Sequence, residues 1–507
     1  MQTTKTPAET PVITSTSTST STSAPTPASR SAQTPCFALR VLKRAVCTVC
    51  FSLVVICMNA CLLRIIMPYS SWSMISWDDF VAAGQVQTII TGSSFAERAI
   101  DPTILSKQTH KTIYNTSVPY QSLHDSLESI KQAHEEKGVR EVIVGVRAET
   151  FMPDPNINLK VHSLFSVASY TSRQPLRWLS DVWQSVICSD TILKPASIQY
   201  LAKWTFHIDE FPNVPNNVAA ITSYQSRARA AASRYPYWHY FGYGFANYSS
   251  HQILTENNMN VTPTTMRDFS DEFLREYEAI CAYCHDKGIK LTVVIAPHQA
   301  YELASFGSAY PEHMKKLEAI ARSYQALYVD SNMVKDPAYR AKPTDFYNSE
   351  HLRTTGSTRL TQLLLPLVAQ DDYDAACAAR ASMFYTYDEW DTMMRTLPGV
   401  FLTKVAQKVE NGMFTGYITS IASPFSKVEW QVLAKKLTAQ EAALHPTQRR
   451  ARYFSKDANY HVIRDWSSNP VVRWTPSQPG TYSLIVRARP TSPDSPDTSY
   501  TRFDVTV

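Results

Sequence analysis

Val142-Ile143-Val144-Gly145-Val146 is an unbroken apolar run of strand length, with no polar residue to offer a solvent face. A run of this kind belongs in a parallel sheet covered on both sides, where the usual in-out alternation is lost. Leu291-Thr292-Val293-Val294-Ile295-Ala296 and Leu327-Tyr328-Val329-Asp330 repeat the pattern, and Val86-Gln87-Thr88-Ile89-Ile90-Thr91 precedes them. Between these runs apolar residues recur at helical spacing: Leu123, Leu127 and Ile130, then Phe269, Phe273, Tyr277, Ile280 and Cys284, then Met314, Leu317, Ile320 and Ala321. Gly138 and Gly288 close the first two of these helices, and Leu360, Leu363, Leu364 and Leu367 mark a last one. Strands alternating with helices predict an α/β domain over residues 80–372, a parallel sheet with helices on both faces.

The flanks differ in character. Residues 1–44 form a Ser/Thr/Pro-rich tail with a literal Ser-Thr repeat, a composition that buries no core and is expected to be disordered. Arg40, Lys43 and Arg44 then precede an apolar segment, 45–66, of about the 20 residues that cross a bilayer. The basic cluster on its N-terminal side predicts a signal anchor, with the tail cytoplasmic and the bulk of the chain outside. Pro68, Tyr69, Trp72 and Trp77 suit an aromatic belt at the membrane surface. Within the α/β region the periodic signal breaks down at about 156–260, which is read as an insertion capping the sheet, helical over Leu164 to Ile187 and unusually aromatic from Arg234 to Tyr248. Residues 373–398 read as a junction. Alternation at Val428, Trp430 and Val432, at Tyr482, Leu484, Val486 and Ala488, and at Phe503, Val505 and Val507 predicts an all-β sandwich, Ig-like, over 399–507.

A formal charge of +5 over 507 residues, without a long basic stripe, argues against nucleic acid as a partner. Five of the nine cysteines (Cys36, Cys47, Cys50, Cys57 and Cys61) lie in or beside the apolar segment, too few remaining elsewhere for a disulfide scaffold. Cys281 and Cys284 form a CxxC inside a helical pattern, with no second CxxC and no His pair at zinc spacing, so no metal is expected there. No cofactor is implied.

Two stretches carry chemistry. Gly92-Ser93-Ser94 ends the first strand and opens a helix, a geometry that lifts a serine hydroxyl to the C-terminal edge of a sheet. Far downstream, Asp345-Phe346-Tyr347-Asn348-Ser349-Glu350-His351-Leu352, followed by Gly356, supplies a histidine to act as base. Ser94 is the expected nucleophile and Ser93 its competitor. The expected partners of the other ring nitrogen are Asn348 first and Asp345 second.

These blocks, with Asn115 after a second strand, resemble the first, second and last blocks of the SGNH/GDSL hydrolase superfamily. More narrowly, the anchor, the outward domain and the Phe-Tyr-x-x-x-His-Leu wording resemble membrane-anchored SGNH-like proteins of bacterial cell-envelope acylation, the D-alanyl-lipoteichoic acid and alginate O-acetylation type. The similarity spans roughly residues 45–370 and leaves out the C-terminal sandwich. It implies an SGNH-like fold, Ser94 as nucleophile, His351 as base, and the Ser94 backbone N–H with Asn115 as oxyanion donors. It favours Ser94 over Ser93 because the family's elbow exposes the second residue after the glycine, while the intervening one points back into the turn. It further implies an extracytoplasmic O-acyltransferase or acyl relay acting on a cell-surface glycan, supplied by a multispanning membrane acyltransferase. An envelope esterase and a non-catalytic envelope scaffold are the alternatives. Two departures stand out: Asn348 occupies the place of the triad aspartate, and Gly145-Val146-Arg147-Ala148 stands where the family has Gly-x-Asn-Asp. Asp345 or Glu350 would then replace the triad acid, or Asn348 would accept from the ring through its amide oxygen.

Overall fold

The computed structural model describes residues 34–66, 77, 79–152, 211–212, 214–215, 218, 238–248, 264–397, 399–422, 425–443, 459–491 and 499–507. Residues 1–33 of the tail, Pro68, Tyr69 and Trp72, and most of the expected insertion lie outside these residues. Residues 34–44, expected to be disordered with the rest of the tail, are instead helical and belong to the helix Thr34–Ile66, because the Ser/Thr/Pro composition has given way there to helix formers such as Ala38, Leu39, Arg40, Leu42 and Lys43.

The first helix, α1 (Thr34–Ile66), carries a 21-residue stretch, Leu39–Asn59, with mean hydropathy 2.1. None of that stretch is buried by protein, and its length and composition suit a membrane anchor and a signal sequence alike.

Five parallel strands form the central sheet: β1 (Thr88–Gly92), β2 (Ile113–Asn115), β3 (Glu141–Val146), β6 (Lys290–Ile295) and β7 (Leu327–Asp330), in the order β2-β1-β3-β6-β7. A two-stranded hairpin, β4 (Trp238–Gly242) and β5 (Phe245–Tyr248), lies between β3 and β6 in sequence. Successive strand residues feed two separate cores, as the apolar runs require. Ile89, Val142, Val144, Val293 and Tyr328 meet α4 (Leu123–Lys137), α5 (Asp271–Asp286) and α7 (Ala309–Ser323) on one face. Ile90, Ile143, Val294, Leu327 and Val329 meet α2 (Ser94–Ala99), α3 (Pro102–Thr109), α8 (Thr354–Val368) and α9 (Tyr373–Met383) on the other. The expected α/β architecture, helices on both faces of a parallel sheet, is what the chain adopts, and it is compatible with an SGNH-like fold.

Gly138 caps α4 in the left-handed conformation, φ 66°, and Gly288 follows α5 at φ 63°, as their sequence positions predict. Cys281 and Cys284 lie inside α5, fully buried and free. Burial pushes the Cys281 thiol up to about 12, so it stays protonated and inert. Trp77 corrects the sequence reading. It is 4% exposed and packs on Phe80 in the α/β core, its ring centroid 4.9 Å away, instead of joining an interfacial belt. The segment expected as a junction is helical. Phe384 enters one α/β core, and Tyr387, Trp390 and Met393, around α10 (Trp390–Arg395), enter the other.

Beyond it, two antiparallel sheets face each other. One has the order β12-β9-β8 (Val471–Trp474, Met413–Ala422, Val400–Glu410), the other β11-β10-β13-β14 (His461–Ser467, Val428–Lys436, Thr481–Pro490, Ser499–Thr506). Phe414, Val432, Leu484, Val486 and Phe503 fill the space between them, so the alternating residues point inward as expected.

One contact decides how close α2 comes to the sheet. A Cβ on Gly145 would lie 2.6 Å from the Cβ of Ala96 in α2. Gly145→Ala should therefore lower stability by about 1–3 kcal/mol through overpacking. Thermal unfolding measures it, and an unchanged midpoint would contradict this tight seating.

Candidate active site

β1 and β3 run side by side, with Gly92 paired to Gly145. Ser94 and Arg147 each follow two residues later, at the C-terminal edge of the sheet. This is also where the chain parts, since α2 lies on one face while α5, after β3, lies on the other. Such a switch point is where α/β sheets open a crevice.

Gly92 sits at φ 144°, a conformation L residues avoid, and turns the chain sharply into α2. Ser93 is the N-cap, its Oγ accepting from the Phe95 N–H at 3.4 Å. Ser94, the next residue, is the first of the helix and is free to point away. Its Oγ lies 2.8 Å from His351 Nε2, across 257 residues of sequence. The expected pairing of Ser94 with His351 is present, and Ser93 plays the turn role expected of it.

His351 ends a tight loop. Phe346 and Leu352 bridge its base, and the Tyr347 N–H donates to the His351 carbonyl at 2.7 Å. Beneath it Gly356 leaves no room for a side chain, since an added Cβ would sit 2.8 Å from Leu352 Cδ2 and 2.9 Å from Asp345 Cβ. Within the loop Asn348 Oδ1 accepts from the Glu350 N–H at 3.0 Å and the His351 N–H at 2.7 Å. Two main-chain donors identify that atom as the oxygen, not the amide nitrogen. The same oxygen lies 3.0 Å from His351 Nδ1, so Nδ1 carries the ring proton and Nε2 is bare. Ser94 Oγ–H then donates to Nε2. The tautomer is the one a base needs, fixed by a neutral amide.

Asp345 does not reach the ring. Its carboxylate accepts from Arg359 Nε at 2.9 Å and the Lys342 N–H at 2.9 Å, staking the loop to α8. Asn115 is also turned elsewhere, which corrects the second oxyanion donor. Its Nδ2 faces the carbonyls of Ala96, Glu97 and Ile100 at 3.3–3.4 Å, and its Oδ1 accepts from the Ser117 N–H at 3.0 Å. Asn115 holds the end of α2, and of the two expected oxyanion donors only the Ser94 N–H, which has no intrahelical acceptor at the first helical position, remains a candidate.

No family model and no curated protein matches the chain. Its chemistry therefore has to be argued from these atoms.

Sequence reasoning missed the charged groups around the pair. Arg147 is fully buried, its Nη2 2.7 Å from Glu302 and 3.5 Å from Glu149, its Nη1 donating to the Glu350 carbonyl at 3.4 Å. Its guanidinium lies 5.0 Å from the ring centroid of Phe95, whose ring stacks on His351 at 5.4 Å. His298 Nε2 meets Glu149 at 3.0 Å, and Gln299 Nε2 donates to the carbonyls of Asn348 and Ser349 at 3.3 and 3.2 Å. An arginine just past a strand reads as surface in a sequence. The signal that finds it is the parallel pairing of β1 with β3, which sets it level with Ser94.

Burial, then the charges of Arg98 and Arg147, hold His351 well below its usual 6.5. The folded protein keeps it neutral, whereas the unfolded chain protonates it near 6.5. Stability from this group is thus intact above about pH 6.5 and is lost as pH falls below it, at up to about 1.4 kcal/mol per pH unit. Glu97, raised by burial to about 7 against the pull of Arg98, acts with the opposite sign in the same window. It is common to both proteins in a comparison of wild type with His351→Gln, so its effect cancels. Denaturant unfolding of detergent-solubilised protein between pH 7.5 and 5 should give the wild type the larger loss of stability on acidification. Equal slopes would contradict a neutral buried His351.

Proposed function

We propose that the chain is an envelope O-acyltransferase or acyl relay working through a serine nucleophile. The observation that carries the reading is the 2.8 Å approach of Ser94 Oγ to a bare His351 Nε2. In the first step Oγ attacks the acyl carbonyl, its proton passes to Nε2, and the leaving group takes that proton as the acyl–Ser94 ester forms. In the second, Nε2 removes the proton of an acceptor hydroxyl, the acceptor oxygen takes the acyl group, and the proton returns to Ser94. The family resemblance supplies the acceptor class, a cell-surface glycan, and the donor, a multispanning membrane acyltransferase. Arg40, Lys43 and Arg44 before the apolar helix support an anchor that leaves the site outside the cell.

Asn348 bears on how long an acyl group would stay on Ser94, whether water or a glycan hydroxyl takes it. An amide behind the histidine offers no negative charge to the imidazolium that forms when a weak nucleophile such as water is activated. Acylation from an activated donor depends less on that charge, because its leaving group departs readily. An acyl enzyme made here would outlive one in an ordinary esterase, which suits a relay.

The test has two arms. Protein incubated with an activated acetate ester should carry one acetyl group on Ser94 by mass spectrometry, and Ser94→Ala should carry none. Cells bearing Ser94→Ala in place of the wild type should lose envelope ester groups. Equal acetylation of the variant, or unchanged ester content, would overturn the reading.

A further inference from the structure

In an ordinary triad a carboxylate behind the histidine offsets the imidazolium charge as the oxyanion forms. Here Asn348 fixes the tautomer but brings no charge, and Asp345 is committed to Arg359 and the Lys342 N–H. If the site is reactive, some other group has to stabilise a transition state that separates a positive ring from a negative oxygen. The negative end is the one served by a cation.

Arg147 meets the conditions. It leaves β3 level with Ser94, and its side chain has no solvent exposure. Both carboxylates, Glu302 and Glu149, sit at Nη2, while Nη1 faces the loop of His351. Nε is buried and has no partner among the described residues. Glu149 and Glu302 keep the guanidinium protonated against its burial. Both meet it at Nη2, which leaves Nη1 on the His351 loop and the face toward Phe95, 5.0 Å from the ring centroid, without a carboxylate among the described residues.

We propose that Arg147 is an electrostatic residue of this site. Its buried guanidinium balances the oxyanion formed when Ser94 attacks, in place of a carboxylate behind the base. The inference rests on the Ser94–His351 reading given above. The charge of Arg147 acts on the titration of His351 in either role, but a residue that merely braced the loop through the Glu350 carbonyl would not be replaced by a carboxylate restored behind the base.

A fluorophosphonate probe separates the two roles without knowledge of the natural substrate. Ser94 Oγ bonds to phosphorus, fluoride leaves, the serine proton passes to His351 Nε2 and on to solvent, and negative charge develops on the phosphoryl oxygen. The labelling rate of the full-length protein in detergent is followed by mass spectrometry across pH. The charged groups about His351 are Arg98 from α2, Arg147 after β3, Glu350 in its own loop and the Asp345–Arg359 pair beneath it. Glu149, Glu302 and His298 lie beyond Arg147. Removing a cation from this set raises the histidine pKa.

Arg147→Gln should slow labelling by about tenfold or more and move its pH midpoint upward. Arg147→Lys, which keeps the charge, should keep the wild-type midpoint. Asn348→Asp should recover much of the rate in the Arg147→Gln background and gain less in the wild type. A slow Arg147→Gln that Asn348→Asp does not recover would leave only the bracing role and overturn the proposal, wherever its midpoint lies. Should Arg147→Gln fail to fold, Arg147→Lys decides, since a folded lysine variant with a shifted midpoint also overturns it. Absence of labelling in the wild type would instead overturn the serine-nucleophile reading itself.

Discussion

The site depends on how closely one short helix is seated on the sheet. Gly92 and Gly145 face each other across β1 and β3, and Ala96 of α2 lies over both, where a side chain on either glycine would push the helix away. Because α2 is only six residues long, its first residue has little freedom once Ala96 is down. Ser94 is therefore placed by packing beneath it. Asn115, 0% exposed, completes the seating by facing three carbonyls at the helix end, those of Ala96, Glu97 and Ile100.

The histidine is placed by a different device. Phe346 and Leu352 bury the base of its loop in the core, and between them hydrogen bonds do the positioning. Asn348 Oδ1 takes three donors, Gln299 reaches two carbonyls of the loop from the end of β6, and Arg147 reaches a third from the end of β3. A carboxylate at position 348 would fix the same tautomer and add a negative charge. The amide fixes the tautomer alone. In serine proteases the amide replacement is damaging because it presents the wrong tautomer. That failure does not apply to Asn348, whose oxygen is oriented by two main-chain N–H groups; what it lacks is charge.

Much of this was legible in the sequence, for reasons that differ by residue. Apolar runs report burial on both faces directly, which is why the strands and the sheet class were readable from Val142–Val146 and its counterparts. Gly138 and Gly288 declared helix ends because few other residues accept a left-handed backbone. Ser94 and His351 were readable because each sits in a short block with its own local geometry. Asp345 and Asn115 misled. Both have a chemistry that would serve the site, and only the coordinates show that α8 and α2 have already taken their hydrogen bonds. Trp77 misled in the same way, since an aromatic near an apolar segment has two homes. Arg147 and His298 were illegible for the opposite reason, as neither belongs to a local pattern and their placement follows from strand pairing alone.

Rigidity of the pair is thus a property of the whole α/β fold. Ser94 depends on β1, β3 and α2, while His351 depends on α8 beneath it and on side chains from the ends of β3 and β6. The Gln299 and Arg147 contacts run from the sheet to the loop, so sheet order and loop position are coupled. The same ends carry Glu149, His298 and Asn332, linked in turn to the buried carboxylate of Asp330 through Asn332 Nδ2 at 2.8 Å. Asp330 accepts from Tyr310 and Tyr387, each at 2.8 Å, and so ties α7 and the segment before α10 to the same network. Buried polar chains of this kind are costly unless every member is paired, and once paired they resist displacement. A neutral base with no carboxylate behind it needs that resistance more than an ordinary triad does. No ionic attraction would draw a displaced ring back, and its alignment has to come from the frame.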